Sequence, residues 1–201
     1  MSAGTVFHLI RHASYGLLGQ VLAGRSPGHA LNEAGRVEAE RLADALATKP
    51  VVALVSSPMQ RARETAAPIA ARLSLAVAIE PDLDEIDFGD WTGRSFDELH
   101  PSGEWQRFNR LRSAAQIPGG ETMLTAQARA VLAILRLHNA WPEGEIAVVS
   151  HGDIVKALLA YFLGVPLDLF RRIEIAPASR SIVRLNAAEV RIEAMNLPAG
   201  A

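Results

Sequence analysis

Two short apolar runs each deliver a histidine at their carboxyl end. Residues 5–10 lead directly into Arg11-His12-Ala13, and residues 146–149 into Ser150-His151-Gly152. Both runs are rich in β-formers and too short for helices, so they read as buried strands. In open α/β sheets ligands bind beyond the carboxyl ends of the strands, which is where both histidines fall. The rest of the chain repeats the alternation. Asn32 caps a helix reaching about Ala47, with Val37, Leu42 and Leu46 as apolar marks among Glu38, Glu40 and Arg41. Residues 51–55 form a second strand. Ser56-Ser57-Pro58 supplies helix-start signals for a helix reaching about Leu73, with a kink expected at Pro68. Residues 76–79 form a short third strand, residues 122–139 a helix, residues 145–149 a strand and residues 154–163 an apolar helix. Three alternating segments follow, at 173–175, 181–186 and 190–194, the last two as a terminal hairpin. Strands alternating with helices predict an α/β fold, a three-layer α/β/α sandwich around a mostly parallel central sheet.

A length of 201 residues suits a single domain, 1–201. Residues 80–121 mix acidic, aromatic and glycine character, with helix-like pieces at 96–100 and 105–112, and read as a small covering insertion over the sheet's active edge. With 49% hydrophobic and only 5% aromatic residues, the core must be built mainly of Ala, Leu, Val and Ile. A net charge of −2 with scattered Lys and Arg gives no footprint for nucleic acid. Without cysteine there is neither a disulfide framework nor a zinc-thiolate site. No apolar stretch approaches the roughly 20 residues of a membrane span, and residues 1–5 enter a strand with no signal-peptide core. The expectation is a cytoplasmic protein with no membrane partner.

The chemistry centres on His12. A neutral imidazole is a good nucleophile toward phosphorus, and its pKa near neutrality keeps part of it unprotonated. Arg11 and Arg61 suit a phosphoryl group, because guanidinium binds its oxygens bidentately and stays charged. Arg61 falls in the first turn of its helix, whose amino terminus adds anion-binding amides. A lone Arg-His pair is ordinarily a solvated strand end; a second histidine in the matching position, His151, is what makes a site. A departing alcohol needs a proton, and Asp84, Glu85 and Asp87 compete to supply it from a segment that reads equally well as a solvated acidic loop. His8 reads as a packed strand histidine; His29, His100 and His138 as loop or surface residues; Trp91 and Trp105 as packing; Asp153 as a helix-start residue. Arg110 and Arg112, with Asn109, suit an anionic tail of a substrate or a solvated helix face.

Taken together these segments resemble the histidine phosphatase superfamily, branch 1, the phosphoglycerate mutase-like group. Leu9-Ile10-Arg11-His12 resembles its signature strand and Leu31-Asn32-Glu33-Ala34-Gly35 its helix entry. Ser56-Ser57-Pro58-Met59-Gln60-Arg61-Ala62 resembles the segment with the second arginine, and Val149-Ser150-His151-Gly152 that with the second histidine. Leu83-Asp84-Glu85 followed by Phe88-Gly89-Asp90-Trp91 resembles the proton-donor segment, which selects Glu85, and Pro118-Gly119-Gly120-Glu121 the stretch before the penultimate large helix. The match runs in order over residues 5–185.

The resemblance implies a phosphomonoester hydrolase for a small phosphorylated metabolite, working without metal or cofactor through a phosphohistidine on His12. Arg11, Arg61, His151 and Gly152 would hold the phosphate, Arg112 would contact the substrate, and Glu85 would protonate the leaving alcohol and then activate water. A homodimer is compatible with this reading, and α-ribazole phosphate is one specific substrate within it. The rivals are a cofactor-dependent phosphoglycerate mutase, generally longer and more basic around its substrate, and a non-catalytic phospho-ligand binding protein, which predicts erosion of a catalytic residue. Two departures stand out. Ala13 occupies a position usually held by glycine, at a cost of about 1 kcal/mol if the backbone there needs φ > 0. The usual polar segment after it is here Ser14-Tyr15-Gly16-Leu17.

Overall fold

The computed structural model describes residues 4–201. Its strands are β1 (Thr5–Arg11), β2 (Val51–Ser56), β3 (Val77–Ile79), β4 (Glu145–Ser150), β5 (Arg180–Leu185) and β6 (Val190–Leu197). They form one sheet in the order β3-β2-β4-β1-β5-β6. The pairs β2–β3, β2–β4 and β1–β4 are parallel, while β5 and β6 add an antiparallel hairpin beside β1. In the central pair Ile10 lies opposite Val149 and Arg11 opposite Ser150. His12 and His151, each one residue further on, therefore leave the sheet side by side.

The helices are α1 (Glu33–Leu46), α2 (Gln60–Leu73), α3 (Phe96–Leu99), α4 (Gly103–Arg110), α5 (Met123–Ala140) and α6 (Gly152–Leu163). Side chains alternate across a strand, so one sequence run feeds two cores. Phe7, Leu9, Ala53, Val55, Ile146 and Val148 pack on the face covered by α5 and α6. Ile10, Leu54, Ala147 and Val149 pack on the face covered by α1 and α2, against Leu42, Leu46, Ala66 and Ile69. The expected three-layer α/β/α fold is what forms. Between Glu80 and Glu121 the chain buries Leu83, Ile86, Phe88, Trp91, Leu99, Trp105 and Phe108 in the α5/α6 core. That apolar set anchors the segment to the core.

Several local expectations are corrected. Residues 173–175 are not a strand, because β5 already occupies that edge of β1 (Ile10 pairs with Arg180). Their alternation survives only in that Ile173 and Ile175 both turn inward. Ser56-Ser57-Pro58 does not start α2: Ser56 completes β2, and the helix begins at Gln60 after Met59 at the cap. The end of that helix at Leu73, beyond Pro68, is as expected. The third strand begins at Val77, one residue late, and α6 at Gly152, two residues early.

The loop after β1 is tied to α1. The Asn32 side chain accepts from Gly35 N–H at 2.8 Å, and Ser14 donates to Glu38 through both its N–H (2.8 Å) and its hydroxyl (2.9 Å). Gly35 allows this closeness, since a Cβ there would lie 2.0 Å from the Ser14 carbonyl oxygen. Gly35→Ala is therefore expected to cost about 1–3 kcal/mol, read as a drop in thermal midpoint. An unchanged midpoint would mean that the His12 loop moves aside freely.

Candidate active site

His12 is buried behind the β1 terminus, with its Nδ1 2.8 Å from the Ala13 carbonyl oxygen. A carbonyl only accepts, so Nδ1 carries the hydrogen and Nε2 keeps its lone pair. The loop is braced from below: Ala13 N–H donates to Thr65 Oγ1 (2.9 Å), whose hydroxyl donates to the Arg61 carbonyl (2.7 Å). Burial, reinforced by His151, Arg61 and Arg11 and opposed by the Ala13 bond, holds the His12 pKa well below the usual histidine value. The ring is neutral at physiological pH. Ala13 itself is not in the left-handed region and packs fully buried, so the strain anticipated for a glycine replacement does not arise.

His151 occupies the N-cap position of α6 without a side-chain bond to its amides and is fully buried, its ring centre 5.2 Å from that of His12. Arg61 Nη2 lies 3.1 Å from its Nδ1 and can only donate, so Nδ1 accepts. The hydrogen on Nε2 then points to Ser57 Oγ at 2.8 Å, and Ser57 donates onward to Asp84 Oδ1 at 3.1 Å. Burial first, then Arg61, Arg129, Arg11 and Arg25, keeps this pKa also well below the histidine norm.

The two arginines face the same 450 Å³ cavity, which His12, Tyr15, Glu85 and Gly152 also line. Arg11 Nη1 donates to the Ile175 carbonyl (2.7 Å) and Arg61 Nη2 to that of Gly24 (2.8 Å). The segment misread as a strand is thus what holds Arg11. The Nε atoms of both arginines are buried without an acceptor among the described residues. A buried donor left unpaired costs about 1–3 kcal/mol, and two such arginines lining one cavity with Gly152, at the amino terminus of α6 where no side chain caps the amides, make an anion cradle. Gly152 admits Arg11 to that terminus, for a Cβ there would sit 3.1 Å from Arg11 Nε.

Three carboxylates competed for the proton-donor role, and packing separates them. Asp84 is committed to Ser57 and to the Glu85 N–H (2.7 Å). Asp87 accepts from Gly89 N–H (3.0 Å) and lies 3.9 Å from Arg25. Of the three, only Glu85 lines the cavity, with Oε2 3.7 Å from His151 Nδ1. Burial, and next the carboxylate of Asp153, push the Glu85 pKa up to about 7 against the opposing pull of Arg61, the Ile86 N–H and Arg11. Its backbone carbonyl is pinned by Arg25 (2.7 Å) and Arg129 (3.0 Å), both of which also grip Glu121 Oε1 at 2.7 Å.

Other residues fall elsewhere. Arg112 lines an adjoining cavity, paired with Asp153 at 3.1 Å and held between the rings of Phe108 and Phe170. His8 packs against Glu145 (2.9 Å), His138 meets Thr5 (2.7 Å), and His100 is exposed. Trp91 and Trp105 pack edge-on at 5.4 Å. Sequence reasoning missed Tyr15, whose ring centre lies 5.5 Å from both the His12 ring and the Arg61 guanidinium. It also missed Ser57, taken there for a helix-start residue. Tyr15, an aromatic inside a glycine loop three residues after His12, was the one available signal. Among the described residues, no group of three or more His, Asp or Glu is placed to hold a metal ion, and no helix is long and apolar enough to cross a membrane.

Known proteins share this chain's sequence and fold. An uncharacterised protein of Mycobacterium tuberculosis is 36% identical over 173 residues, spanning 82% of this chain and 81% of its own. The glucosyl-3-phosphoglycerate phosphatase of the same organism is 29% identical over 146 residues, 68% of this chain and 66% of its own. Among solved structures, YhfR of Bacillus stearothermophilus superposes with a TM-score of 0.90 at 24% identity, over 96% of this chain and 97% of its own. The mycobacterial glucosyl-3-phosphoglycerate phosphatase gives 0.85 at 22% identity, over 96% and 99%. The model of the histidine phosphatase superfamily (branch 1) matches residues 7–198. The chain belongs to that superfamily and is an enzyme of the phosphatase kind.

Proposed function

We propose that the protein hydrolyses a phosphomonoester of a small metabolite through a phosphohistidine on His12, without a metal. The observation that carries this is the Nδ1 bond to the Ala13 carbonyl, which leaves Nε2 unprotonated on a ring lining the same cavity as Arg11 and Arg61, whose buried Nε donors have no acceptor among the described residues. The Nε2 lone pair forms the bond to phosphorus as the bond to the ester oxygen breaks, and the Glu85 carboxyl proton passes to that oxygen. The ring becomes an Nδ1–H phosphoimidazolium whose charge the Ala13 carbonyl supports. Water then attacks phosphorus, its proton passes to the Glu85 carboxylate, and the phosphorus–nitrogen bond breaks to release phosphate and neutral His12. A carboxyl group with a pKa near 7 is suited to giving and taking a proton in turn.

Arg11, Arg61 and the Gly152 amide hold the phosphoryl oxygens. An entering phosphate dianion offsets the arginine charge that adds to burial in keeping His151 neutral, and Asp84, acting through Ser57, supports the hydrogen on its Nε2. The likeness to a phosphatase acting on glucosyl-3-phosphoglycerate supports hydrolysis over mutase chemistry.

The expected result is steady turnover of p-nitrophenyl phosphate that EDTA leaves unchanged. Loss of activity in EDTA would overturn the metal-free step. Offered 2- and 3-phosphoglycerate, the enzyme should release phosphate from them without interconverting them; interconversion would make it a mutase.

A further inference from the structure

A second cavity, of 580 Å³, adjoins the catalytic one and shares Leu22, Phe88, Phe96, Asp153 and Lys156 with it. That volume lies in the range of small-molecule sites, roughly 300–1,000 Å³. Leu22, Phe88, Phe96 and Trp105 give it an apolar wall, and its charge is strongly one-sided. Lys156 from α6, Arg110 from the last turn of α4 and Arg171 from the turn Leu167–Arg172 all line it, with Arg112 deeper. Its single lining carboxylate, Asp153, is taken up by Arg112, so it does not cancel the other three. Neither Arg110, Lys156 nor Arg171 forms an ion pair among the described residues, in a chain whose net charge is −2.

One exposed arginine is ordinary surface. Here cations from three separate elements converge on one cavity that opens into the site of chemistry. A fourth, Arg112, also lines it, is itself buried, and its Nε has no acceptor among the described residues. Burying that guanidinium lowers its pKa from the usual arginine value, a cost opposed chiefly by Asp153.

We propose that this second cavity is the leaving-group subsite, and that it selects phosphomonoesters whose alcohol portion carries a second anionic group, a carboxylate or another phosphate. The proposal rests on the hydrolase reading above. The phosphoryl group occupies the Arg11–Arg61 cradle, the carbon skeleton lies along Phe88 and Phe96, and the distal anion meets Lys156, Arg171 and Arg110.

Two matched pairs test it. 3-Phosphoglycerate and glycerol 3-phosphate differ only in a carboxylate replacing a hydroxymethyl group. Fructose 1,6-bisphosphate and fructose 1-phosphate differ in the second phosphate. At low ionic strength the anionic member of at least one pair is expected to have the higher kcat/KM, by about ten-fold, as partly exposed charge contacts of this kind supply. The preference should shrink as salt is added. It should fall away in the Arg110→Ala/Arg171→Ala double variant through KM, and return with Arg110→Lys/Arg171→Lys. Equal kcat/KM within both pairs, or a preference that the alanine double variant leaves intact, overturns the subsite even if p-nitrophenyl phosphate is turned over. Should no phosphomonoester be hydrolysed, the hydrolase reading falls. Equilibrium titration with the same four compounds then decides the subsite: tighter binding of the anionic members, weakened in the alanine variant, upholds it, and equal affinities end it.

Discussion

His12→Ala is expected to lower phosphomonoester turnover by about 10³-fold or more, as removal of a covalent nucleophile does when its supporting groups remain. The cradle of Arg11, Arg61 and the α6 amino terminus would still bind phosphate, so the loss should fall on kcat. The measurement pairs p-nitrophenyl phosphate hydrolysis with an alkaline quench, in which the native enzyme yields an acid-labile phosphoenzyme and the variant none. Circular dichroism checks that the buried site has not collapsed. Unchanged activity in a folded variant would remove His12 from the reaction, and a phosphoenzyme persisting in it would place the covalent link elsewhere.

Glu85→Gln should cost about 10²–10⁴ in kcat/KM for alkyl phosphates, the usual range for general acid catalysis. The cost should be far smaller for p-nitrophenyl phosphate, whose leaving group departs without a proton. The pH profile gives the sharper signature. With the Glu85 pKa at about 7, kcat/KM of the native enzyme is expected to decline as pH rises through that value, because the acid form is being lost. The rising limb lies well below 6.5, since burial and cationic neighbours depress His12. In Glu85→Gln the decline near neutrality should vanish. Stability follows the same proton. A carboxyl whose pKa rises from 4.5 unfolded to about 7 folded binds more protons in the native state between those values. Its contribution is therefore fully present below 4.5 and lost as pH rises toward 7. Glu85→Gln should accordingly raise the thermal midpoint relative to native at pH 8 and not at pH 4. A native-like pH profile in the variant would return the role to another group.

The strand–helix alternation was legible because its period is a local property. Apolar β-forming runs ending at Ile10, Val55 and Val149 were short enough to exclude helices, and each did become a parallel strand. Residues 173–175 were not legible in the same way. Their alternation is real, but strand formation needs a free edge, and which edge is free depends on where β5 pairs. Ser56-Ser57-Pro58 failed likewise: Ser57 has the residue type of a helix cap, and only the approach of His151 from β4 shows that its hydroxyl serves the histidine.

The sequence by itself placed two histidines and Arg11 at strand ends and Arg61 in the first turn of a helix, because strand and helix ends follow from hydrophobic pattern; the pairing of β1 with β4 is what sets the histidines side by side. The sequence could not rank Asp84, Glu85 and Asp87 from the residues alone, nor say whether Ala13 was strained. Tertiary structure decided both. The Ala13 backbone stays outside the left-handed region, and only Glu85 of the three carboxylates lines the cavity, where burial and Asp153 raise its pKa to about 7. The physical reason is the same in each case: protonation, tautomer and backbone strain are set by neighbours distant in sequence, through burial and charge that no local pattern records.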